Sequence, residues 1–380
     1  MAESESKSKL EKIASAISKD LHKDLIISMI IFGISFALIY VIIDVVNVDR
    51  LEYPKISEVV IRVPTNLEFD DETDPRELVE TLNATGVKRI SLLVKQDEDA
   101  PDEQDLSGDM IPSGSLYYTE TSKAGTQPDI AYDILNKTLI AAHDVGMEVY
   151  AWIPIFRDSV ARSNNPEWAL DGTEDAEYFI DPANASARAY EVSVVEEVLQ
   201  YDVDGIRLDY VRYCDADSNG ILTGYLAEFL SEINNIPALS PSTPVGLYAF
   251  PPDDFWWSGQ NYTAFDPYLD QIMPMIYWQD QGSITSSKQD VMRWVDGILD
   301  DSKALLEPSK VVPTLSITDW VNVDGNYETW SESKIRDYLD AVFSTISFNG
   351  IESISLFYYG GWSALTTRLT HYVEKMGTMP

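Results

Sequence analysis

Short apolar segments alternate with longer amphipathic segments from residue 57 to the end of the chain. Eight segments are short and rich in residues that β-strands favour: EVVIRVP, RISLLVK, EVYAWIPIF, DGIRLDYV, PVGLYAF, QIMPMIYW, KVVPTLSI and SISLFYY. Between them, apolar residues recur at helical spacing in segments such as DPRELVETLNATG and SKQDVMRWVDGIL. Several helical segments end in glycine or in a polar turn, as helices commonly do.

This alternation predicts parallel β–α–β units and therefore an α/β fold class. Eight units in about 320 residues match a (β/α)8 TIM barrel, which has about 250 residues before insertions. A doubly wound open sheet is the alternative, but no glycine-rich phosphate loop follows the first strand. In a barrel, functional side chains lie at the C-terminal ends of the strands.

One apolar stretch precedes the barrel. Residues 25–43 are 19 residues without a charge, enough to span a hydrocarbon layer of about 30 Å. A cleaved signal peptide is the alternative, but no small-residue cleavage site follows. We therefore predict a cytoplasmic tail at 1–24, a transmembrane anchor at 25–46, a linker at 47–56 and a barrel domain at 57–380.

The basic residues near the span predict its orientation. Five lysines precede it, whereas only Arg50 and Lys55 follow closely. Positive charge favours the cytoplasmic side of a membrane. We expect a single-pass protein of the cell membrane, with its N-terminus in the cytoplasm and its C-terminal domain outside the cell.

The composition limits the partners and the catalytic groups that the chain can use. The formal net charge of −36 argues against a nucleic-acid partner or an anionic lipid surface, and is typical of salt-adapted or extracellular proteins. With one cysteine and three histidines, the chain offers little for a disulfide, a thiolate zinc site or a Ser-His-Asp triad. Carboxylates and aromatic side chains are the remaining candidates.

The fourth predicted strand carries a charged pair. Arg207 and Asp209 are two residues apart in DGIRLDYVRY, so they point to the same face of the strand. One interpretation is a structural ion pair. The other is a catalytic carboxylate, Asp209, which Arg207 keeps ionised by lowering its pKa.

Tryptophans concentrate where the predicted strands end. Seven of the nine follow strand C-termini: Trp168, Trp256, Trp257, Trp278, Trp320, Trp330 and Trp362. Such rings stack on the C–H faces of sugars, although they also pack loops onto a barrel. As a set, they favour a cleft large enough for a carbohydrate.

Four segments carry a family resemblance. YDVDGIRLDYVRY, FIDPANASARAYEVSVVEEVLQ, MPMIYW and LLVKQDED resemble, in order and spacing, motifs of the glycosyl-hydrolase-like (β/α)8-barrel family over about residues 57 to 365. The resemblance implies a barrel, a polysaccharide or glycoconjugate substrate and an essential carboxylate at Asp209. It also implies that Lys95, Asp97 and Tyr277 line the cleft.

Glycosidic bond cleavage usually needs two carboxyl groups, about 5 Å or about 6.5–9.5 Å apart. We predict Asp209 as one, with Asp97 or Asp319, which follow strands 2 and 7, as the second. The predicted substrate-binding residues are Arg207, Lys95, Tyr248, Tyr277, Trp278, Trp257, Trp320, Tyr358 and Trp362.

The function predicted from these residues is a membrane-anchored, extracytoplasmic glycoside hydrolase-like enzyme that cleaves a polysaccharide or glycoconjugate. The alternative is a non-catalytic carbohydrate-binding or cell-envelope scaffold on the same barrel. A phosphate-handling barrel is disfavoured, because the last strands lack a glycine-rich anion site beyond one Gly-Gly pair.

No cofactor is expected to be required, but DADSNG matches the start of a calcium loop. Asp215, Asp217 and Asn219 would supply the ligands of a structural calcium ion. The bidentate glutamate of such a loop is absent, and a helix-capping turn explains the same residues.

Overall fold

The structure is a computed structural model that describes residues 53–62, 75–98, 111–123, 133–171, 174–214, 221–307, 310–357 and 362–377. Ten strands lie within these residues: β1 Lys55–Ile61, β2 Arg89–Leu93, β3 Glu148–Pro154, β4 Gly205–Asp209, β5 Val245–Ala249, β6 Gln271–Pro274, β7 Thr314–Ser316, β8 Trp320–Val323, β9 Asn326–Thr329 and β10 Ser353–Phe357.

Ten α-helices connect or follow the described strands. They are α1 Arg76–Thr85, α2 Ile134–Asp144, α3 Ser159–Asn164, α4 Ala185–Val198, α5 Ile221–Asn234, α6 Phe255–Ser258, α7 Tyr262–Phe265, α8 Lys288–Leu305, α9 Glu332–Phe348 and α10 Trp362–Met376. Short 3-10 turns add Pro166–Trp168, Glu174–Tyr178, Pro252–Asp254, Asp266–Tyr268 and Trp278–Asp280.

Eight strands form a single parallel sheet in the order β6-β5-β4-β3-β2-β1-β10-β7. Its two ends approach each other, because Ile272 and Met275 form parallel bridges to Val311 and Thr314. The sheet is thus a nearly closed eight-stranded barrel, and the predicted α/β barrel is confirmed. The β8–β9 hairpin was not predicted.

The helices cover the barrel with apolar faces. In α8, Val291, Val295, Ile298 and Leu299 are buried at helical spacing, and the Ser287 side chain caps the helix at the backbone N–H of Asp290. Strand residues are buried on both faces, as expected for a parallel sheet between a filled interior and a helical layer.

A polar layer crosses the barrel interior. Arg207 on β4 is fully buried and donates to Glu58 from Nε at 2.8 Å and to Gln271 from Nη2 at 2.9 Å. The Tyr248 hydroxyl donates to Glu58 at 2.7 Å. A side chain at Gly246 would place Cβ 2.6 Å from Arg207 Nη1, so glycine makes room for the guanidinium.

This layer corrects two expectations. Arg207 and Tyr248 were predicted to bind substrate, but both lie inside the barrel and satisfy a buried carboxylate on β1. Arg207 does share a face with Asp209, as strand alternation requires. Its side-chain partners are Glu58 and Gln271 rather than Asp209, so the predicted Arg207–Asp209 ion pair is wrong.

Within the described residues, no helix is both long and apolar enough to cross a bilayer. The predicted tail at 1–24 and anchor at 25–46 lie outside these residues. Both stay predictions.

Candidate active site

Asp209 is the last residue of β4, at the end of the barrel where catalytic groups are expected. Its carboxylate is 5% exposed. Trp152 Nε1 donates to Oδ2 at 3.1 Å, and the backbone N–H of Tyr210 donates to Oδ1 at 2.6 Å. Tyr210 has a φ of 52°, a left-handed conformation that is uncommon for a bulky residue. The turn after β4 is therefore held in an unfavourable shape that brings an N–H onto the carboxylate.

Burial raises the pKa of Asp209 above its ordinary value, and this effect outweighs three groups that favour the ionised form. Those groups are the Arg212 guanidinium, 3.6 Å from Oδ1, and the two hydrogen-bond donors. The predicted lowering of this pKa by Arg207 is wrong, because Arg207 is bonded to Glu58 and the neighbouring cation is Arg212.

Two more carboxylates follow β2. Asp97 is 4% exposed and accepts from Arg62 Nε at 3.0 and 3.3 Å. Burial nevertheless raises its pKa to about 6, and the negative charges of Glu98 and Asp209 contribute. Glu98 also contributes to the raised pKa of Asp209. The three carboxylates thus form one electrostatically coupled group.

Arginines interleave with these carboxylates. Arg62 follows β1, and Arg157, which follows β3, approaches Glu98 at 3.5 Å. Arg157 also donates to the Tyr210 hydroxyl at 3.2 Å. Arg212 lies between two rings, 4.0 Å from the centroid of Tyr210 and 4.3 Å from that of Phe250. The guanidiniums are locked in place by stacking and ion pairs.

Sequence reasoning missed Arg62, Arg157, Arg212 and Glu98 as parts of this group. The signal that could have found them is their position directly after β1, β3, β4 and β2. Parallel strands bring such positions to one end of the barrel.

Asp319, the other predicted second carboxylate, has a different environment. Arg368 on α10 contacts its Oδ2 at 3.2 Å, and the same guanidinium contacts Glu332 on α9 at 3.2 Å. Its ion-pair partner thus belongs to the helical layer. The negative charge of Asp209 contributes to the raised pKa of Asp97, and Asp97 is therefore our proposed second carboxylate.

Lys95 was predicted to line the cleft, but its ammonium is sequestered. Nζ lies 2.7 Å from Glu191 on α4, 2.9 Å from Asp158 and 3.0 Å from the Ile155 carbonyl. All three side chains are fully buried. Lys95 therefore ties β2 to the loop after β3 and to α4, and the prediction of substrate contact is corrected.

A cavity of about 470 Å³ opens on the side of β6, β7 and β10. Its lining is Tyr277, Asp280, Ser316, Thr318, Trp320, Tyr327 and Phe357. Trp320 and Tyr327 are exposed, and the Tyr277 ring stacks on Phe357 with 5.8 Å between centroids. The structure thus places the predicted binding residues Tyr277 and Trp320 together.

The other residues that were predicted to bind substrate or calcium lie in different environments or outside the described residues. Trp278 is fully buried and stacks on Tyr338, so it belongs to the core and not to a binding surface. Trp257 is partly buried, and its ring packs on Phe250 with 4.6 Å between ring centroids. Four predicted residues and one side chain lie outside what the structure describes: Tyr358, Asp215, Asp217, Asn219 and the side chain of Trp362.

Within the described ranges, no group of three or more His, Cys, Asp or Glu side chains could hold a metal ion. The predicted calcium loop falls outside these ranges, so a structural calcium ion at that loop stays a prediction.

Comparison with known proteins adds independent findings. Residues 105–235 match a family model described as "Putative glycosyl hydrolase domain". The glycosyl hydrolase DigH of Escherichia coli K12 is 24% identical over a 371-residue alignment that covers 79% of this chain and 80% of that protein. The resemblance to the glycosyl-hydrolase-like barrel family is confirmed.

Solved structures of known enzymes share the barrel fold of this chain. The glycoside hydrolase domain of PgaB (BpsB) from Bordetella bronchiseptica has a TM-score of 0.62 at 14% identity, covering 86% of this chain and 99% of that one. The spore cortex-lytic enzyme SleL of Bacillus cereus has a TM-score of 0.53 at 12% identity, covering 86% and 76%. These likenesses, at 14% and 12% identity, show a shared barrel fold.

Proposed function

We propose that this chain is a glycoside hydrolase-like enzyme that cleaves a polysaccharide or glycoconjugate, with Asp209 as its strand-4 catalytic carboxylate. One observation carries the proposal. Asp209 lies buried at the C-terminal end of β4, is held by two hydrogen-bond donors, and is electrostatically coupled to Asp97. Glycosidic cleavage usually requires two carboxyl groups, one as the acid and one as the nucleophile or base.

The environments suggest a division of roles. Burial raises the pKa of Asp209, but Trp152, the Tyr210 N–H and Arg212 would stabilise its carboxylate once it is ionised, as a nucleophile or a general base requires. Asp97 has a pKa of about 6, so it carries a proton for part of the time in mildly acidic solution and can act as the general acid. Substrate would displace the Arg62 contact as the proton moves to the leaving oxygen.

The positions of these groups agree with barrel chemistry. Asp97, Asp209 and their arginines lie at the C-terminal ends of β1 to β4, whereas the aromatic cavity lies along β6, β7 and β10. A sugar chain at this end of the barrel could reach both. Stacking would hold the sugar rings, while the carboxylates act on the bond between two of them.

A carbohydrate-binding scaffold is the second candidate. It is favoured by the arginine contacts of Asp97, Glu98 and Asp209, because a fully paired cluster also serves to stabilise loops. The predicted anchor at 25–46 applies to both candidates and would hold the barrel at the outer face of the cell membrane.

The test is a glycan-panel assay on the full chain, purified in a detergent without sugar groups, next to Asp209→Asn. The proposal predicts that the wild-type chain releases shorter products from at least one glycan, and that Asp209→Asn lowers the rate at least a hundred-fold while still binding that glycan. Binding without cleavage by either protein would support the scaffold and refute the enzyme.

A further inference from the structure

The β8–β9 hairpin has a fixed geometry. Its loop is Asp324–Gly325, with φ values of 49° and 88°, which is the two-residue turn that matches the twist of paired strands. Trp320 pairs with Thr329, and Asn322 pairs with Tyr327. Positions two residues apart share a face of the ribbon, so Trp320 and Tyr327 lie on one face as diagonal neighbours.

The hairpin is anchored on the segment that follows β6. The backbone N–H of Asp324 donates to the Gly282 carbonyl at 3.2 Å, and Thr285 Oγ1 donates to the Asn322 carbonyl. Val321, on the opposite face from Trp320, is fully buried. The aromatic face is therefore held rigidly over the cavity before any ligand arrives, which lowers the entropic cost of binding.

The cavity surface combines flat rings with oxygen atoms. Trp320 is 62% exposed and Tyr327 is 64% exposed, although large aromatic side chains are usually covered. The hydroxyl residues Ser316 and Thr318 and the Asp280 carboxylate lie in the same lining. Rings that stack on C–H faces, next to oxygen atoms that bond hydroxyl groups, are the features that recognise a sugar.

A chain of side-chain contacts connects the cavity lining to Asp209. Tyr277 stacks on Phe357, and Phe357 meets Trp152 edge to face with centroids 5.9 Å apart. Trp152 in turn donates its indole N–H to Asp209. Two rings thus separate the cavity floor from the carboxylate, and a ligand that occupies both places must extend over more than one sugar unit.

The charges of the cavity lining and of the whole chain indicate which class of sugar would bind. Asp280 is the charged residue of the cavity lining, which includes no lysine or arginine among the described residues. The whole chain carries a formal charge of −36. A polyanionic glycan would be repelled by the field of the molecule and would meet no cation among the described residues of the cavity lining.

We propose that the hairpin face formed by Trp320 and Tyr327 is a subsite for a neutral glycan chain, connected to Asp209 through Phe357 and Trp152, and that it makes the protein select oligomers over single sugars. The proposal rests on the proposed function for the reaction at Asp209. Binding at the hairpin is nevertheless a separate property that does not need cleavage.

The experiment measures calorimetric binding to the full chain carrying Asp209→Asn, which prevents turnover. The probes are the hexaoses of N-acetylglucosamine, glucose and mannose, their monosaccharides, and the hexaose of galacturonic acid as a polyanionic probe. The hairpin variants are Trp320→Ala, Tyr327→Ala and the pair together, with Trp320→Phe as the conservative change. Phe348→Ala is the matched control, since Phe348 is a 73% exposed aromatic residue on α9 outside the cavity lining.

The proposal predicts that at least one neutral hexaose binds, and that the double variant weakens this binding about ten-fold or more. Trp320→Phe and Phe348→Ala should bind as the parent does, and the galacturonic hexaose should not bind. Unchanged binding in the double variant, binding of the anionic hexaose alone, or no binding of any neutral hexaose would each overturn the proposal. Equal melting temperatures of the variants show that any loss is local.

The same proteins separate this proposal from the proposed function. If the wild-type chain cleaves no glycan but binding depends on Trp320 and Tyr327, hydrolysis fails and the subsite stands. If Asp209→Asn abolishes cleavage while the hairpin variants bind and cleave the hexaose like the wild type, the subsite fails and the hydrolase stands.

Discussion

Asp209 illustrates how far single residues can be interpreted from the sequence. Its position on β4 and its inward direction follow from the alternation of DGIRLD and from the rule that barrel function lies at strand ends. The cation next to Asp209 could not be predicted from the same pattern. Arg207 bonds Glu58, which is 149 residues away along the chain, and no local pattern encodes a contact across the barrel.

Arg62 affects the pKa of Asp97, the proposed second carboxylate. It lowers the pKa of Asp97, while burial raises that pKa to about 6. Removing the cation in Arg62→Met should therefore raise the pKa of Asp97 further. If Asp97 is the general acid, activity falls as pH rises through its pKa, so this limb of the pH–rate profile should move to higher pH.

The measurement is the pH dependence of kcat/KM for Arg62→Met and for Arg293→Met. Arg293 is an exposed residue on α8, and its replacement should leave the profile unchanged. A limb that stays in place or moves to lower pH in Arg62→Met would exclude Asp97 as the acid.

At the scale of elements, the buried Lys95 cluster joins β2, the loop after β3 and α4. Two carboxylates share one ammonium, and burial raises the pKa of Glu191 to about 8. Lys95→Met would leave Asp158 and Glu191 buried without a cation. The free energy of unfolding should fall by about 3–5 kcal/mol.

Urea denaturation of Lys95→Met tests this expectation, with Lys288→Met as the control. Lys288 forms an exposed pair with Asp337, so its loss should cost less than about 1 kcal/mol. Equal losses in the two variants would show that the Lys95 cluster does not connect these elements.

The eight barrel strands were predictable because each is a continuous apolar run between helical patterns. The β8–β9 hairpin was missed because its strands have four residues each and one face is exposed. Its Asp324–Gly325 turn was a usable signal. Trp278 was misjudged because a position after a strand does not tell whether a ring points to the mouth or into the core.

At the scale of the molecule, the charge of −36 makes the folded chain repel itself. Salt screens this repulsion, since the Debye length falls to about 3 Å at 1 M. The melting temperature should therefore rise by several degrees between about 0.05 M and about 1 M salt. Sodium, potassium and caesium chlorides should act alike, and a melting temperature independent of salt would contradict this expectation.

The barrel architecture could be predicted from the pattern of the whole chain. Which side chains from distant strands lie next to each other could not. Asp97 and Asp209 are separated by more than one hundred residues, and parallel pairing of β2 and β4 with β3 brings the C-terminal ends of both strands to the same mouth. Which acidic residues meet there depends on loops whose course is set by tertiary packing. This is why the sequence alone left Asp97 and Asp319 as alternative second carboxylates.

The central claim is that Asp209 is the carboxylate through which the barrel cleaves a glycosidic bond. The most direct test is kcat/KM on one cleaved glycan for the wild-type chain, Asp209→Asn and Asp319→Asn. Asp319 is the matched control, an aspartate after β7 paired with Arg368 of the helical layer. The account predicts a loss of at least a hundred-fold in Asp209→Asn and less than about three-fold in Asp319→Asn. Equal activity of Asp209→Asn and the wild type would contradict it.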